Sequence, residues 1–181
     1  MIGQPLGPRI GSLCTGYGGL DMAVELVLGG HLTWYAEVDR HARAVLEHRW
    51  PGVPNLGDIR AVDWTRVEPV DVLTAGFPCQ DISNAGKRAG IGGRHSSVWN
   101  AVADAVRHLR PPYVFVENVA ALLRRGLDVV EADLAALGYD TSWTCLRASD
   151  IGAAHRRDRL FLLATTRGGG EGADTADALR P

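Results

Sequence analysis

Short apolar runs alternate with amphipathic stretches along most of this chain. Six runs predict strands, at Arg9–Leu13, Thr33–Val38, Val70–Ala75, Tyr113–Glu117, Thr141–Leu146 and Arg159–Thr165. Stretches between several of them have helical periodicity, at Leu20–Leu28, His41–Trp50, Ser97–Leu109 and Gly126–Leu137. Because alternating strands and helices build βαβ units, the sequence predicts an α/β, Rossmann-like fold with a mainly parallel sheet and helices on both faces.

Composition excludes several classes of protein. The 181 residues suit one domain, and 46% are hydrophobic, but no apolar run is long enough to span a membrane and no secretory signal opens the chain. Cys14, Cys79 and Cys145 lack the spacing of a zinc site or a disulfide framework, which predicts a reducing, cytoplasmic location and no metal. The formal charge of −2 gives no global sign of a polyanionic partner.

Polar residues follow the predicted strands at regular intervals. A spacing of 21 residues separates successive members of the set Gly16, Glu37, Asp58 and Cys79 (37 − 16, 58 − 37, 79 − 58). That length accommodates a compact strand–helix unit with short loops. Since ligands of such sheets collect at the carboxyl ends of the strands, all four are predicted to reach one crevice.

The first of these residues belongs to a glycine-rich turn, Ser12–Gly19, between the first strand and the first helix. A lone turn of this kind also suits a plain strand-to-helix connection. Glu37 strengthens the ligand interpretation, because a carboxylate at the end of the second strand can accept hydrogen bonds from ribose hydroxyls. Asp58 and Ile59 are predicted to bind an adenine amino group and pack on its ring, although Asp58 also suits the cap of a following turn.

The turn is not the pyrophosphate fingerprint G-x-G-x-x-G. Counting from Gly16, Gly18 fits the pattern, but Asp21 occupies the last position. The sequence therefore favours a nucleoside cofactor without a diphosphate. This difference also argues against another hypothesis, in which the chain is a Rossmann-type oxidoreductase that uses Cys79 as a redox thiol.

Candidate catalytic groups follow two further strands. Cys79 lies in Gly76-Phe77-Pro78-Cys79-Gln80, just past a strand end, where a nucleophile is expected, and Glu117 ends the strand that begins at Tyr113. A cysteine with a glutamate suits attack on an electron-poor ring whose nitrogen is held by the acid. Arg157 and Arg159 are predicted to share one strand face, where they either assist this pair or form a solvated sheet edge.

Together these segments resemble the DNA (cytosine-5) methyltransferases. Six motifs occur in the family's order between Arg9 and Thr165: Ser12–Gly19, Glu37, Asp58, Gly76–Gln80, Glu117-Asn118-Val119 and Gly152–Arg159. The Pro-Cys and Glu-Asn-Val motifs are the most specific. The resemblance implies the fold of S-adenosylmethionine-dependent methyltransferases, with a catalytic domain over residues 9–166.

The resemblance also implies a cofactor, a partner and a mechanism. S-adenosyl-L-methionine would be held by Cys14, Gly16, Gly18, Gly19, Glu37, Val38, Asp58, Ile59 and Pro78. Double-stranded DNA would deliver a flipped cytosine. Cys79 would attack C6, Glu117 would contact N3 and the exocyclic amine, and Arg159 with Arg157 would orient the nucleotide or the thiolate. The Gly-rich, locally basic stretch Asp81–Ser96 resembles the family's mobile catalytic loop, its alternative being an ordinary surface loop.

Some positions depart from the family pattern. Cys14 occupies the place of a phenylalanine that packs on the cofactor, Ser12 that of an aspartate, and His155 that of a glutamine, while Val38 replaces a larger stacking residue. None of these changes removes a catalytic group.

The end of the chain departs further. Residues 167–181 form a Gly-rich tail that is predicted to be disordered, and the family's target-recognition domain is absent. The alternative is therefore a truncated or split methyltransferase, which binds the cofactor or a second chain supplying target recognition and is inactive alone.

Overall fold

The computed structural model describes residues 7–78 and 98–168, which contain a six-stranded sheet of order β2-β1-β3-β4-β6-β5. The strands are β1 (Arg9–Leu13), β2 (His31–Ala36), β3 (Val72–Ala75), β4 (Tyr113–Val119), β5 (Tyr139–Arg147) and β6 (Asp158–Thr166). β2, β1, β3 and β4 pair in parallel, whereas β6 is antiparallel to both β4 and β5. The predicted α/β fold with a mainly parallel sheet is confirmed.

Four helices are described: α1 (Gly19–Leu28), α2 (Arg40–Arg49), α3 (Val98–Leu109) and α4 (Leu127–Ala136). Three short 3₁₀ segments accompany them, at Trp64–Arg66, Ala120–Arg124 and Ala148–Ile151. Asp39 caps α2, because its carboxylate accepts the backbone N–H groups of His41 and Ala42, both at 2.9 Å. These backbone bonds, led by that of Ala42, lower the pKa of Asp39.

One face of the sheet carries the larger core. Val102 and Val106 of α3 and Val130 and Leu134 of α4 pack there against buried side chains from β1, β2, β3, β4 and β6. Leu162 of β6 is 1% exposed on this face. Burial of a leucine side chain contributes about 1.5–3 kcal/mol, so this face supplies most of the hydrophobic stabilisation.

The opposite face is covered unevenly. Val24 of α1 and Leu46 of α2 pack on Ile10, Tyr35 and Val72, which covers the half of the sheet built from β1, β2 and β3. On the β4–β6–β5 half, alternate side chains remain only partly buried, among them Phe115, Phe161 and Leu163. Within residues 7–78 and 98–168, the sheet therefore has one closed half and one half with an accessible face.

The observed elements follow the predicted ones with small changes at their ends. β2 begins at His31 and ends before Glu37, and β5 and β6 are longer than predicted. No described strand lies between α2 and Asp58, where the spacing predicted one; the only pairing described there is the isolated parallel bridge between Tyr35 and Asn55. Within residues 7–78 and 98–168, no helix is both long and apolar enough to cross a membrane.

Candidate active site

The glycine-rich turn between β1 and α1 is built from left-handed backbone. Cys14, Gly16 and Gly18 have φ values of 52°, 57° and 76°. Gly18 is the N-cap of α1, and a Cβ there would meet the Trp50 ring at 2.5 Å, so both its conformation and the available space require glycine. At Gly16 a Cβ would have open space around it, which leaves room for a ligand above the turn.

Glu37 links this turn to the end of β2. Its Oε2 accepts the backbone N–H of Gly16 at 2.7 Å, while Oε1 accepts those of Val38 and Asp39, both at 2.8 Å. An ionised carboxylate offers about four lone-pair sites, so one site on Oε2 remains for a further donor. A single ribose hydroxyl can therefore bind without displacing a backbone bond.

Asn55 holds Glu37 in place, a role that the sequence analysis missed. Its Oδ1 accepts the N–H of Glu37 at 3.1 Å and that of Gly57 at 2.9 Å, and its amide nitrogen donates to the Glu37 carbonyl at 3.1 Å. Nothing in the local sequence distinguishes this asparagine from an ordinary turn residue.

Asp58 caps the turn that follows it, which was the alternative to binding an adenine amino group. Its Oδ1 accepts the backbone N–H of Arg60 at 3.0 Å, and its carboxylate pairs with the Arg60 guanidinium, with Nη2 and Oδ2 2.6 Å apart. The Arg60 side-chain hydrogen bond lowers the pKa of Asp58. An adenine amino group at Asp58 would share this carboxylate with Arg60.

The two apolar residues predicted to contact an adenine ring lie in different surroundings. Val38 is 65% exposed beside Glu37 and offers its side chain to a ring, whereas Ile59 is 5% exposed and belongs to the larger core. Tyr17, 64% exposed between Gly16 and Gly18, is a further aromatic surface that the sequence analysis did not select. These two exposed side chains are better placed to contact a ring than Ile59.

The segment after β3 lies between β1 and β4. A Cβ on Gly76 would stand 3.3 Å from the Cys14 carbonyl oxygen and 3.9 Å from Oε2 of Glu117. Asn118, 3% exposed, donates its side-chain N–H to the Phe77 carbonyl at 2.8 Å. The chain is thus fixed next to Glu117 as far as Pro78, which is exposed. Cys79 and the loop Asp81–Ser96 lie outside the described residues.

Glu117 forms an ion pair with Arg159. The Nε of Arg159 lies 2.7 Å from Oε1 of Glu117, and the two side chains are 22% and 28% exposed, respectively. β4 and β6 pair in antiparallel register with Val119 opposite Arg159, so the end of β4 meets the start of β6. Oε2 of Glu117 faces Gly76, which leaves one carboxylate oxygen toward the turn that leads to Cys79.

The predicted strand face shared by Arg157 and Arg159 is wrong. β6 begins at Asp158, and Arg157 precedes it with φ 41°, so strand alternation does not extend to Arg157. Arg157 is exposed, and no described carboxylate lies within ion-pair distance of it. The structure thus brings Arg159 to Glu117, but not Arg157.

A buried polar cluster lies beneath the glycine-rich turn. Asp21 of α1 is 1% exposed and accepts a hydrogen bond from the Thr74 hydroxyl of β3. The Ser12 hydroxyl donates to Thr15 Oγ1 at 2.9 Å. Burial raises the pKa of Asp21, against the opposing hydrogen bonds from Thr74 and Ser12. The cluster ties α1 and the turn to the strand that precedes Gly76.

The donor set beside the glycine-rich turn fits a nucleoside. Glu37 keeps a free acceptor site, the Gly16 turn has open space, and Val38 and Tyr17 expose apolar surface nearby. In the part of the chain that the structure describes, no group of three or more His, Cys, Asp or Glu side chains is placed to hold a metal ion.

Solved structures share this fold. The Schizosaccharomyces pombe Dnmt2 methyltransferase has a TM-score of 0.75 at 19% identity, covering 93% of this chain and 54% of its own. A mutant of Spodoptera frugiperda DNMT2 has a TM-score of 0.69, also at 19% identity, covering 92% of this chain and 52% of its own. At this identity they show the fold alone, which is that of the Rossmann-like methyltransferases.

Sequence comparison defines the family. Residues 9–171 match C-5 cytosine-specific DNA methylase, and the chain belongs to this family. Type II methyltransferase M2.BsuMI of Bacillus subtilis is 33% identical over 166 residues, covering 87% of this chain and 42% of the relative. Type II methyltransferase M.HhaI of Haemophilus parahaemolyticus is 32% identical over 164 residues, covering 88% and 50%.

The chain spans half or less of the length of these curated relatives. Use of S-adenosylmethionine and a DNA substrate is implied for the family as a whole, and for this chain it is a proposal.

Proposed function

We propose that the chain is the catalytic part, residues 9–166, of an enzyme that transfers a methyl group from S-adenosylmethionine to C5 of cytosine in double-stranded DNA. The observation that carries the proposal is the position of the Gly76–Pro78 segment against Glu117, with Asn118 bonded to Phe77 and Arg159 paired with Glu117. A cytoplasmic location, with the DNA, is part of this proposal.

S-adenosylmethionine, when bound, supplies the methyl group as an electrophile. Glu37 accepts a ribose hydroxyl through its free Oε2 site, and Val38 contacts the adenine ring. The backbone of Gly16, Gly18 and Gly19 approaches the ligand closely, beside Cys14 and Pro78. Asp58 accepts the adenine amino group in competition with Arg60, next to Ile59 of the larger core.

The chemistry runs through Cys79 and Glu117 on a cytosine flipped out of the duplex. The thiolate of Cys79 forms a bond to C6, and the electron pair of the 5,6 double bond moves to C5. C5 takes the methyl group as the methyl–sulfur bond of the donor breaks and its electron pair stays on the sulfur. Glu117 accepts a hydrogen bond from the exocyclic amine and holds a proton at N3 while the ring carries the added electron density, and that proton leaves N3 when the double bond reforms. A base then removes the C5 proton, and the electron pair left at C5 reforms the double bond as the thiolate departs.

Arg159 orients Glu117 in this scheme. Its guanidinium occupies Oε1 of Glu117, so Oε2, the oxygen that faces Gly76, is the one left for the flipped cytosine. Arg157, exposed and without a described partner, is proposed to contact the nucleotide or the thiolate.

Duplex DNA carrying 5-fluorocytosine tests the mechanism, because a base cannot remove fluorine from C5 as it removes a proton, and the covalent adduct is therefore trapped. With S-adenosylmethionine present, we expect an adduct with the wild-type chain, none with Cys79→Ser, and unchanged cofactor affinity by calorimetry. Cys145→Ser is the matched control, since Cys145 is exposed on β5. An adduct or undiminished transfer with Cys79→Ser contradicts the covalent mechanism.

Exposed apolar side chains on α1 favour a second candidate, in which a complementing chain is needed for activity. α1 exposes Leu26 by 85% and Val27 by 71%, on the helix whose opposite side covers β1. Adjacent exposed apolar side chains of this size are typical of a surface that binds a protein partner. Calorimetric binding of S-adenosylmethionine without methylation of DNA by the chain alone would support this candidate, in which a second chain also supplies target recognition.

A further inference from the structure

A groove of about 580 Å³ opens at the carboxyl edge of the sheet, beyond β4 and β5. One wall is the 3₁₀ segment Ala120–Arg124 with Arg125, and the other is the end of β5 with Asp158 of β6. None of the site residues predicted from the sequence lines it.

The groove contains more cations than anions. Arg124, Arg125 and Arg147 face two carboxylates, Asp150 and Asp158, and Arg147 Nε already lies 3.3 Å from Asp158 Oδ1. Arg124 and Arg125 are exposed, and within residues 7–78 and 98–168 no carboxylate lies within ion-pair distance of either. Two guanidinium groups are thus available to an external anion, on a chain whose formal charge is −2.

The groove adjoins the Glu117–Arg159 pair. Ala120 follows Glu117 by three residues, which in extended chain is roughly 10 Å. Asp158 precedes Arg159 directly, and its carbonyl accepts Arg159 Nη1 at 3.0 Å. The near end of the groove, at Ala120, therefore lies within about 10 Å of Glu117, which is one to two nucleotides along a polymer whose base reaches Glu117.

We propose that Arg124 and Arg125 bind backbone phosphates of the DNA that presents its cytosine to Glu117, an inference that rests on the proposed function. Guanidinium groups bind phosphate oxygens through paired N–H donors, and a duplex carries one charge per about 1.7 Å of its axis. The exposed Leu123 and Leu146 form apolar walls beside these arginines, suited to sugar contacts.

The salt dependence of binding tests this assignment. The groove variant combines Arg124→Gln and Arg125→Gln. The control variant combines Arg43→Gln and Arg66→Gln, which remove the same charge from exposed sites on α2 and on the segment Trp64–Arg66. In titrations of a fluorescent duplex, we expect the groove variant to bind more weakly and its slope of log K against log salt to be shallower by about 1.8, or about 0.9 per lost phosphate contact. The control variant should keep the wild-type slope.

Cys145 supplies an independent readout, because this exposed thiol lines the groove. We expect duplex DNA to slow the alkylation of Cys145 in the wild-type chain, measured on its peptide by mass spectrometry, and to protect it much less in the groove variant. Neither measurement depends on Cys79, so a failed 5-fluorocytosine adduct and a failed groove assignment are separate results.

Equal salt slopes for the groove and control variants would overturn the proposal. So would undiminished alkylation of Cys145 under saturating DNA, or the absence of DNA binding by the wild-type chain at low salt. Protection of Cys145 by an acidic peptide but not by DNA would assign the groove to a protein partner instead.

Discussion

The two halves of the sheet differ in what covers them and in what they leave available. The β2–β1–β3 half is packed on both faces, and its glycine-rich turn is held by Glu37 and Asn55 through backbone hydrogen bonds. The β4–β6–β5 half is packed on one face, carries Glu117 and Arg159 at its edge, and borders an arginine-lined groove. The first half has the features of the proposed cofactor site, whereas the second exposes the surface that we propose for DNA.

Adjacent leucines on β6 give the largest expected contrast. Leu162 is 1% exposed against the helices, whereas Leu163 is partly buried on the open face. We expect Leu162→Ala to lower the free energy of unfolding by about 2–5 kcal/mol, because it leaves a cavity. Leu163→Ala should cost much less. Urea denaturation measures both, and equal losses would mean that the second face is as closely packed as the first.

Removing the Glu37 side chain tests the proposed cofactor site on the β2–β1–β3 half of the sheet. Glu37→Ala should weaken S-adenosylmethionine binding by about 1.5–3 kcal/mol, or roughly tenfold to 150-fold, since it loses a charged acceptor for the ribose and the bond that positions Gly16. Glu47→Ala, an exposed carboxylate on α2, is the control. Unchanged affinity of Glu37→Ala by calorimetry would remove this residue from the site.

The buried acid beneath the turn predicts a dependence of stability on pH. The pKa of Asp21 is raised in the folded protein by burial, so its contribution is fully present below the unfolded value of 3.8 and is lost as pH rises through the folded pKa. We expect Asp21→Asn to lose less stability than wild type between pH 4 and 7, measured by denaturation at each pH. Asp128→Asn, in the exposed first turn of α4, should follow the wild-type curve.

The smallest expected effect concerns the Asp58–Arg60 pair at the solvent-exposed rim. Because the two side chains are 37% and 54% exposed, Arg60→Ala should change the free energy of unfolding by less than about 1 kcal/mol. It should also tighten S-adenosylmethionine binding if Asp58 holds the adenine amino group, since the competing guanidinium is gone. Weaker binding in calorimetry would contradict that role.

Strand and helix periodicity predicted the fold because burial on alternate faces repeats at fixed intervals along the sequence. It placed the ends of β1 and α1 to within a residue, and the carboxyl-edge rule brought Gly16, Glu37 and Glu117 to one edge. The 21-residue spacing did not require a strand before Asp58, and the chain turns there instead.

Several features were beyond sequence reasoning. The left-handed Arg157 broke the expected strand alternation, since backbone conformation at a single arginine leaves no compositional trace. Asn55, Asn118 and the Asp21–Thr74 pair act through contacts between residues 18 to 53 positions apart, which no local pattern encodes.

The reversed direction of β6 has a consequence for redesign of this protein. Arg147 and Asp158 are opposite each other in the β5–β6 ladder, so both ends of the connector 148–157 stand side by side at the functional edge. A foreign peptide inserted there would lengthen a loop that is already closed, at an entropic cost of about 0.6 kcal/mol per doubling of its length. The connector is thus a suitable insertion site for an artificial DNA-reading module. Such a module would lie beside the Glu117–Arg159 pair, and the register of the strands would stay unchanged.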